Sequence, residues 1–239
     1  LDLIDQKKVF NFLKQNKPYY VIIAAAKVGG ILANNSLRAE FIYENLTIQN
    51  NLIHGSFING IKNLIFLGSS CIYPKFSKQP ILETELLNGQ LESTNEAYAI
   101  AKISGLKLCQ FYSQQYKLNY KCLMPCNLFG ISDNYDFSSS HFFPALIRKI
   151  YYAKVQKKKI IYLWGDGTAL RELMYVDDLA DAILFFMHKK NEYSFINVGS
   201  GIEKTINEYA YFIMQKLNLN LNIKYNKSKP NGTPRKLLN

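Results

Sequence analysis

Short apolar, β-branched runs alternate with longer amphipathic stretches along the first half of the chain. Residues 19–25, 63–68 and 120–128 read as strands, and 38–59 and 96–117 read as helices. That alternation predicts βαβ units and a parallel sheet. Val21-Ile22-Ile23-Ala24 and Leu64-Ile65-Phe66-Leu67 have few polar residues on either face, as expected of strands covered by helices on both sides. In such sheets ligands gather at the carboxyl ends of the strands. The expected fold class is therefore α/β, a Rossmann-like doubly wound parallel sheet.

After Phe129 the spacing is less regular. A loop at 130–140 leads to a helix at 141–153, a strand at 160–164, an extended stretch at 173–176 and a helix that Asp177 or Asp178 would cap. A strand at 195–198, a helix at 206–217 and a strand at 221–225 follow. Residues 1–129 are expected to form part of a dinucleotide-binding domain, and 130–239 mainly a smaller α/β substrate lobe, with some elements returning to the first sheet. The first predicted element is a helix at 5–15, and the chain starts with Leu and holds no GxGxxG or GxxGxxG turn to cradle a pyrophosphate. The expectation is that the opening strands of the domain are missing from it.

Composition narrows the class. The chain has 239 residues, 48% hydrophobic and 20% charged, enough for a real core. No apolar run approaches the roughly 20 residues of a membrane span, and the first residues lack signal-peptide order, so a soluble, cytoplasmic protein is expected. The net charge of +11 favours anionic partners. Its densest run, Lys154 with Lys157-Lys158-Lys159, has no interleaved aromatic ladder and reads as a solvated face, so neither nucleic acid nor membrane is expected as a partner. Cys71, Cys109, Cys122 and Cys126 form no CxxC pair, which points to reduced thiols and no metal.

Tyr98-Ala99-Ile100-Ala101-Lys102 carries the most information. A spacing of four on a helix puts the phenol and the ammonium on one face. A nearby cation favours phenolate, which predicts a Tyr98 pKa below the usual value of about 10. Such a tyrosine passes a proton to a carbonyl oxygen while hydride reaches the carbon. Leu67-Gly68-Ser69-Ser70-Cys71-Ile72-Tyr73-Pro74 follows an apolar strand and puts small hydroxyls at its carboxyl end, where a serine donates to the same oxygen. Strand, Ser-Ser turn and a YxxxK about thirty residues later together resemble the extended short-chain dehydrogenase/reductase superfamily.

Within that superfamily the chain is similar to the GDP-L-fucose synthase family. The similarity lies in Ala24-Ala25-Ala26-Lys27-Val28-Gly29-Gly30-Ile31, the Ser-Ser-Cys turn, Thr94 to Lys102, Asn127-Leu128-Phe129-Gly130, Trp164 to Thr168, Arg171-Glu172 and Gly232-Thr233-Pro234-Arg235-Lys236. The resemblance implies 3,5-epimerisation and NADPH-dependent 4-reduction of GDP-4-keto-6-deoxy-D-mannose to GDP-L-fucose. It implies that Ser69, Tyr98 and Lys102 serve the reduction, and that Cys71 and His141 are the acid–base pair of the epimerisation. For NADPH/NADP it implies contacts from Ala24, Ala25, Ala26, Leu67, Gly68, Ser69, Ser70, Tyr98, Lys102, Pro125, Cys126, Asn127, Leu128 and His141. For the GDP-sugar substrate it implies Lys149, Trp164, Arg171 and Asn231. Pro230-Asn231-Gly232-Thr233-Pro234-Arg235 departs from the family at Asn231, where an Asp is usual. A homodimer through the helices at 38–59 and 96–117 is implied as well. Two rivals stay open: a sugar-nucleotide 4-epimerase or dehydratase that shuttles hydride internally, and a non-catalytic sugar-nucleotide or dinucleotide binder.

Overall fold

Four parallel strands set the position of everything that follows. In a computed structural model that describes residues 1–189, 195–229 and 231–239, β1 (Val21–Ile23), β2 (Asn63–Leu67), β3 (Asn119–Pro125) and β7 (Phe195–Val198) lie in the order β1-β2-β3-β7. Val21 pairs with Leu64, Phe66 with Cys122 and Pro125 with Val198. Because all four run the same way, residues 24–26, 67–71, 126–128 and 199–201 emerge along one edge. The expected Rossmann-like α/β class is thus observed.

The long helices α3 (Arg38–Ile58) and α4 (Glu96–Tyr116) pack against each other beside this sheet. Gly105 permits their close approach: a Cβ there would stand 2.6 Å from Gln49 Oε1 and from Phe66. Gln49 Nε2 donates to Ala101 O at 2.7 Å across the seam. Helix α1 (Gln6–Asn16) is capped by Asp5, whose carboxylate accepts the Lys8 N–H, and a short α2 (Ile31–Ser36), not foreseen in the sequence, precedes α3.

The predicted strand 120–128 is two strands. Pro125 has no N–H to extend the ladder, Cys126 N donates across to Val198 O, and the chain then enters a second sheet as β4 (Asn127–Phe129). That sheet runs β10 (Arg235–Lys236), β6 (Leu170–Tyr175), β4, with β8 (Glu203–Thr205) antiparallel on β6. The extended stretch expected at 173–176 is therefore a longer strand that starts at Leu170. Strands β5 (Ile160–Trp164) and β9 (Asn222–Asn226) form a separate parallel pair.

Helices α5 (Phe142–Val155) and α7 (Ile206–Lys216) enclose a second apolar cluster of Leu146, Ile150, Ile161, Leu163, Tyr209, Ile213 and Met214. Helix α6 (Val176–His188) instead packs Leu179, Ile183 and Phe186 onto the first core. Its N-cap is Tyr175, which makes no side-chain capping bond, so neither Asp177 nor Asp178 caps it. Both acids lie inside the first turn, where they complement the helix dipole. No helix among the described residues is long and apolar enough to cross a membrane. Pro230, part of the segment singled out above, lies outside the described residues.

Candidate active site

Strand β2 ends in a 3₁₀ turn at Ser70–Ile72 whose N-cap is Ser69; the Ser69 Oγ accepts the Cys71 N–H at 3.2 Å. This small turn fixes the Cys71 sulfur at the mouth of the sheet. Lys236 Nζ donates to it at 3.1 Å and Asn95 Nδ2 at 3.3 Å. Burial raises a thiol pKa, but the Lys236 charge, the Ser69 and Lys236 hydrogen bonds and the Arg171 charge together outweigh it, so the Cys71 thiol lies below its ordinary range.

Tyr98 and Lys102 project from one face of α4, as their spacing predicts. The expected lowering of the phenol is not found. Lys102 is only 3% exposed, and its Nζ donates to Leu67 O at 2.8 Å, 4.7 Å from the Phe66 ring centroid and 5.8 Å from that of Tyr98. Burial pushes the Tyr98 phenol up and Cys71 pushes it further, with Ser69 alone opposing. The Lys102 ammonium is itself pulled down to about 8 by burial. In this state Tyr98 is a neutral phenol, the form that donates a proton.

The second half of the chain closes the site. His141 is the N-cap of α5 and makes no side-chain capping bond. Burial lowers its imidazole pKa; Asp133 opposes this and Lys236 reinforces it. Arg171 on β6 is buried, with Nη1 on Leu170 O at 2.7 Å and Nη2 on Asn231 O at 3.4 Å. Lys149 Nζ donates to Tyr162 O. Trp164 is 41% exposed, with Lys229 Nζ 5.4 Å above its ring. Asn231 Oδ1 accepts the Asp166 N–H at 3.0 Å, which orients the amide within the protein.

These side chains line one cavity of about 1470 Å³, larger than the roughly 300–1,000 Å³ of a typical single-ligand pocket. Of the residues expected from sequence, Ala24, Ala26, Leu67, Gly68, Ser69, Cys71, Tyr98, Lys102, Pro125 to Leu128, His141, Lys149, Trp164, Arg171 and Asn231 all line it. Ala25 and Ser70 do not: Ser70 is buried inside the 3₁₀ turn, and Ala25 lies between two lining alanines. Lys236 and Asn95 touch the Cys71 sulfur yet were not among the expected site residues. Their signal lay in the quoted motifs, Asn95 just before the YxxxK helix and Lys236 at the end of Gly232-Thr233-Pro234-Arg235-Lys236.

The cavity edge fits the nicotinamide half of a dinucleotide. Lys102 spends one N–H on Leu67 O and has two more to offer, and Ala24, Ala26 and residues 125–128 flank the opening. The sequence supplies no glycine-rich turn for the pyrophosphate.

Residues 1–199 match the model of the NAD dependent epimerase/dehydratase family. The GDP-L-fucose synthase of Sinorhizobium fredii is 51% identical over 238 residues, which span 100% of this chain and 76% of that protein. Among solved structures, the GDP-6-OMe-4-keto-L-xylo-heptose reductase from C. jejuni superposes with a TM-score of 0.91 at 34% identity, covering 100% of this chain and 80% of that one. The GDP-L-fucose synthetase from Naegleria fowleri bound to NADP superposes with a TM-score of 0.88 at 29% identity, covering 100% and 73%.

Proposed function

The chain belongs to the GDP-L-fucose synthase family, within the NAD dependent epimerase/dehydratase family, and from that premise we propose how its residues divide the work. It is an NADP-dependent epimerase and reductase that converts GDP-4-keto-6-deoxy-D-mannose to GDP-L-fucose. The observation that supports the division of labour is the Cys71 sulfur, held by Lys236 and Asn95 in the same cavity as Tyr98, Lys102 and His141.

Ser69 and Tyr98 hold the C4 oxygen. Charge developing on that oxygen is stabilised by their hydroxyls, so the hydrogens on C3 and C5 become acidic. Cys71, with its thiol below the ordinary range, takes the proton from one face. His141 returns one from the other face, which inverts the carbon. When bound, NADPH supplies hydride to C4. Tyr98 gives its phenolic proton to the C4 oxygen, and Lys102 holds the ribose hydroxyls. Lys149 and Arg171 meet the diphosphate as cations, Trp164 offers its face to the nucleotide, and Asn231 reaches a sugar hydroxyl through its amide.

In this reading the β1-β2-β3-β7 sheet and its helices are the cofactor lobe, and the elements around α5 and α7 form the substrate lobe. The protein works in the cytoplasm as a homodimer through α3 and α4, a reading supported by the exposed Tyr43 and Phe111 on those helices and by four free cysteines. The test is to supply GDP-4-keto-6-deoxy-D-mannose in deuterium oxide and follow NADPH oxidation together with deuterium at C3 and C5. Stoichiometric NADPH consumption with label at both carbons is expected. Epimerised product without net NADPH consumption would instead assign an internal hydride shuttle.

A further inference from the structure

Asn95 stands at the N-cap of α4, where an Asn side chain ordinarily accepts a backbone N–H of the first helical turn. Here it makes no capping bond. Its Nδ2 instead donates to Cys71 Sγ at 3.3 Å, while its Oδ1 is buried without a hydrogen-bond partner. A buried amide oxygen left unpaired is costly. The position therefore forgoes both a helix cap and an acceptor bond and keeps one contact, to the sulfur. Violations of a local rule of this kind concentrate at functional sites.

We propose that Asn95 is a dedicated partner of the Cys71 sulfur in both of its protonation states: Nδ2 donates to the thiolate, and after a half-turn of the amide Oδ1 accepts from the thiol S–H. The inference deepens, and rests on, the reading of Cys71 as an acid–base group of the epimerisation. In that step the substrate C–H bond breaks, the proton joins sulfur and the electron pair moves onto the C4 oxygen; the reverse transfer resets the thiolate. The sulfur thus alternates between needing a donor and needing an acceptor.

The other groups around it have other tasks in this reading. Lys236 from β10 and Arg171 from β6 are cations that favour thiolate. Tyr98 from α4 and the Ser69 hydroxyl, which also bonds the sulfur, are assigned to the C4 oxygen, the Ser69 Oγ accepts the Cys71 N–H, and His141 faces the same cavity from the start of α5. The Asn95 amide is neutral, and rotating it breaks no bond to Oδ1, because none exists.

The test uses the full chain without substrate. Alkylation of Cys71 by iodoacetamide is followed against pH, with peptide masses separating it from Cys109, Cys122 and Cys126. Asn95→Ala removes no capping bond, and Asn95→Asp keeps a favoured N-cap residue, so both variants are expected to fold. Asn95→Ala is expected to slow Cys71 alkylation about tenfold at neutral pH by raising the thiol midpoint. Asn95→Asp, which offers acceptors only and adds a like charge, is expected to raise the midpoint further. A wild-type pH profile in either variant overturns the proposal, and so does an Asp midpoint at or below that of Ala. Loss of C3 and C5 exchange in the wild-type protein would overturn the functional reading instead, while the alkylation series would still decide the tie between Asn95 and the sulfur.

Discussion

The Lys236 ammonium donates to the Cys71 sulfur at 3.1 Å although 165 positions separate them in the chain. What brings them together is a strap formed by residues 235–239. Strand β10 pairs with β6; Gln79 donates to Arg235 O and accepts the Leu237 N–H. Ile81 N donates to Leu237 O at 2.7 Å and accepts at its carbonyl from Asn239 N at 3.0 Å. Arg235 also grips Glu203 through a two-point ion pair. A two-residue strand would be mobile alone; bonded along its length, it delivers one charge to one sulfur.

Lys236→Met is therefore expected to raise the Cys71 thiol pKa, since burial would then act with less opposition. A shift of about one unit corresponds to about 1.4 kcal/mol and a tenfold smaller thiolate fraction at neutral pH. Deuterium exchange at C3 and C5 is expected to fall about tenfold, with NADP affinity unchanged. Exchange at the wild-type rate would remove Lys236 from the epimerisation.

The pH dependence follows from two directions of shift. His141 lies below its usual 6.5 through burial and Cys71 lies below its usual 9.0 through its cationic neighbours. If one carbon needs Cys71 as thiolate and His141 as imidazolium, the exchange rate rises as pH climbs through the His141 value and falls beyond the Cys71 value, or the converse protonation gives the same bell. Both limbs are expected on the acid side of those reference values. A profile with its acid limb above 6.5 would contradict the assignment of His141.

How much of this could be read from sequence depends on how local each relation is. Tyr98 and Lys102 share a face because a helix repeats every 3.6 residues, and the apolar runs at Ile22 and Ile65 imposed the parallel sheet. The phenol's pKa was not legible, because it is set by burial and by the Cys71 sulfur, both products of how α4 sits on β2. The break at Cys126 and the arrival of Lys236 depend on strands that pair across 46 to 73 positions or that are two residues long, and no periodicity marks those. Asn231 was expected among the substrate contacts, and that its Oδ1 accepts the Asp166 N–H was not legible either.

That bond predicts the cost of altering Gly165. Gly165 has φ +68, and a Cβ there would stand 1.6 Å from Asn231 Oδ1. Gly165→Ala is expected to combine left-handed backbone strain of about 1 kcal/mol with displacement of the 231–236 segment that leads to Lys236. A lower melting temperature should accompany a raised KM for the GDP-sugar. A variant with unchanged KM would show that the two segments move independently.

Glu172 is the buried anchor of the strap: it is 0% exposed, Oε1 accepts the Gly201 N–H at 2.7 Å and Oε2 the Leu238 N–H at 3.0 Å. Glu172→Gln turns one acceptor into a donor that faces a donor. Each backbone N–H left unpaired in the interior costs about 1–3 kcal/mol, so thermal unfolding is expected several degrees lower. Because Leu238 is two residues from Lys236, Cys71 alkylation at neutral pH should slow as well. Reduced stability with an unchanged Cys71 profile would limit Glu172 to a packing role.

The sharpest separation of the two half-reactions comes from Cys71 and Tyr98, which face the same substrate but act on different atoms. Cys71→Ser keeps the volume and the Ser69 and Lys236 contacts near it, but an alcohol is a far weaker acid than a thiol, so proton removal at C3 and C5 should cease while NADP binding persists. Tyr98→Phe keeps the ring against α4 and removes only the phenolic proton. It should retain exchange, since Cys71, His141 and Ser69 are untouched, and lose NADPH oxidation by about 10² or more, the usual contribution of a positioned acid. Measured on one substrate in deuterium oxide, the two variants should give opposite patterns: no label and no reduction for Cys71→Ser, label without reduction for Tyr98→Phe. If Tyr98→Phe abolished both, stabilisation of the C4 oxygen by the phenol would be essential to the epimerisation, and Ser69 alone would be insufficient to acidify C3 and C5.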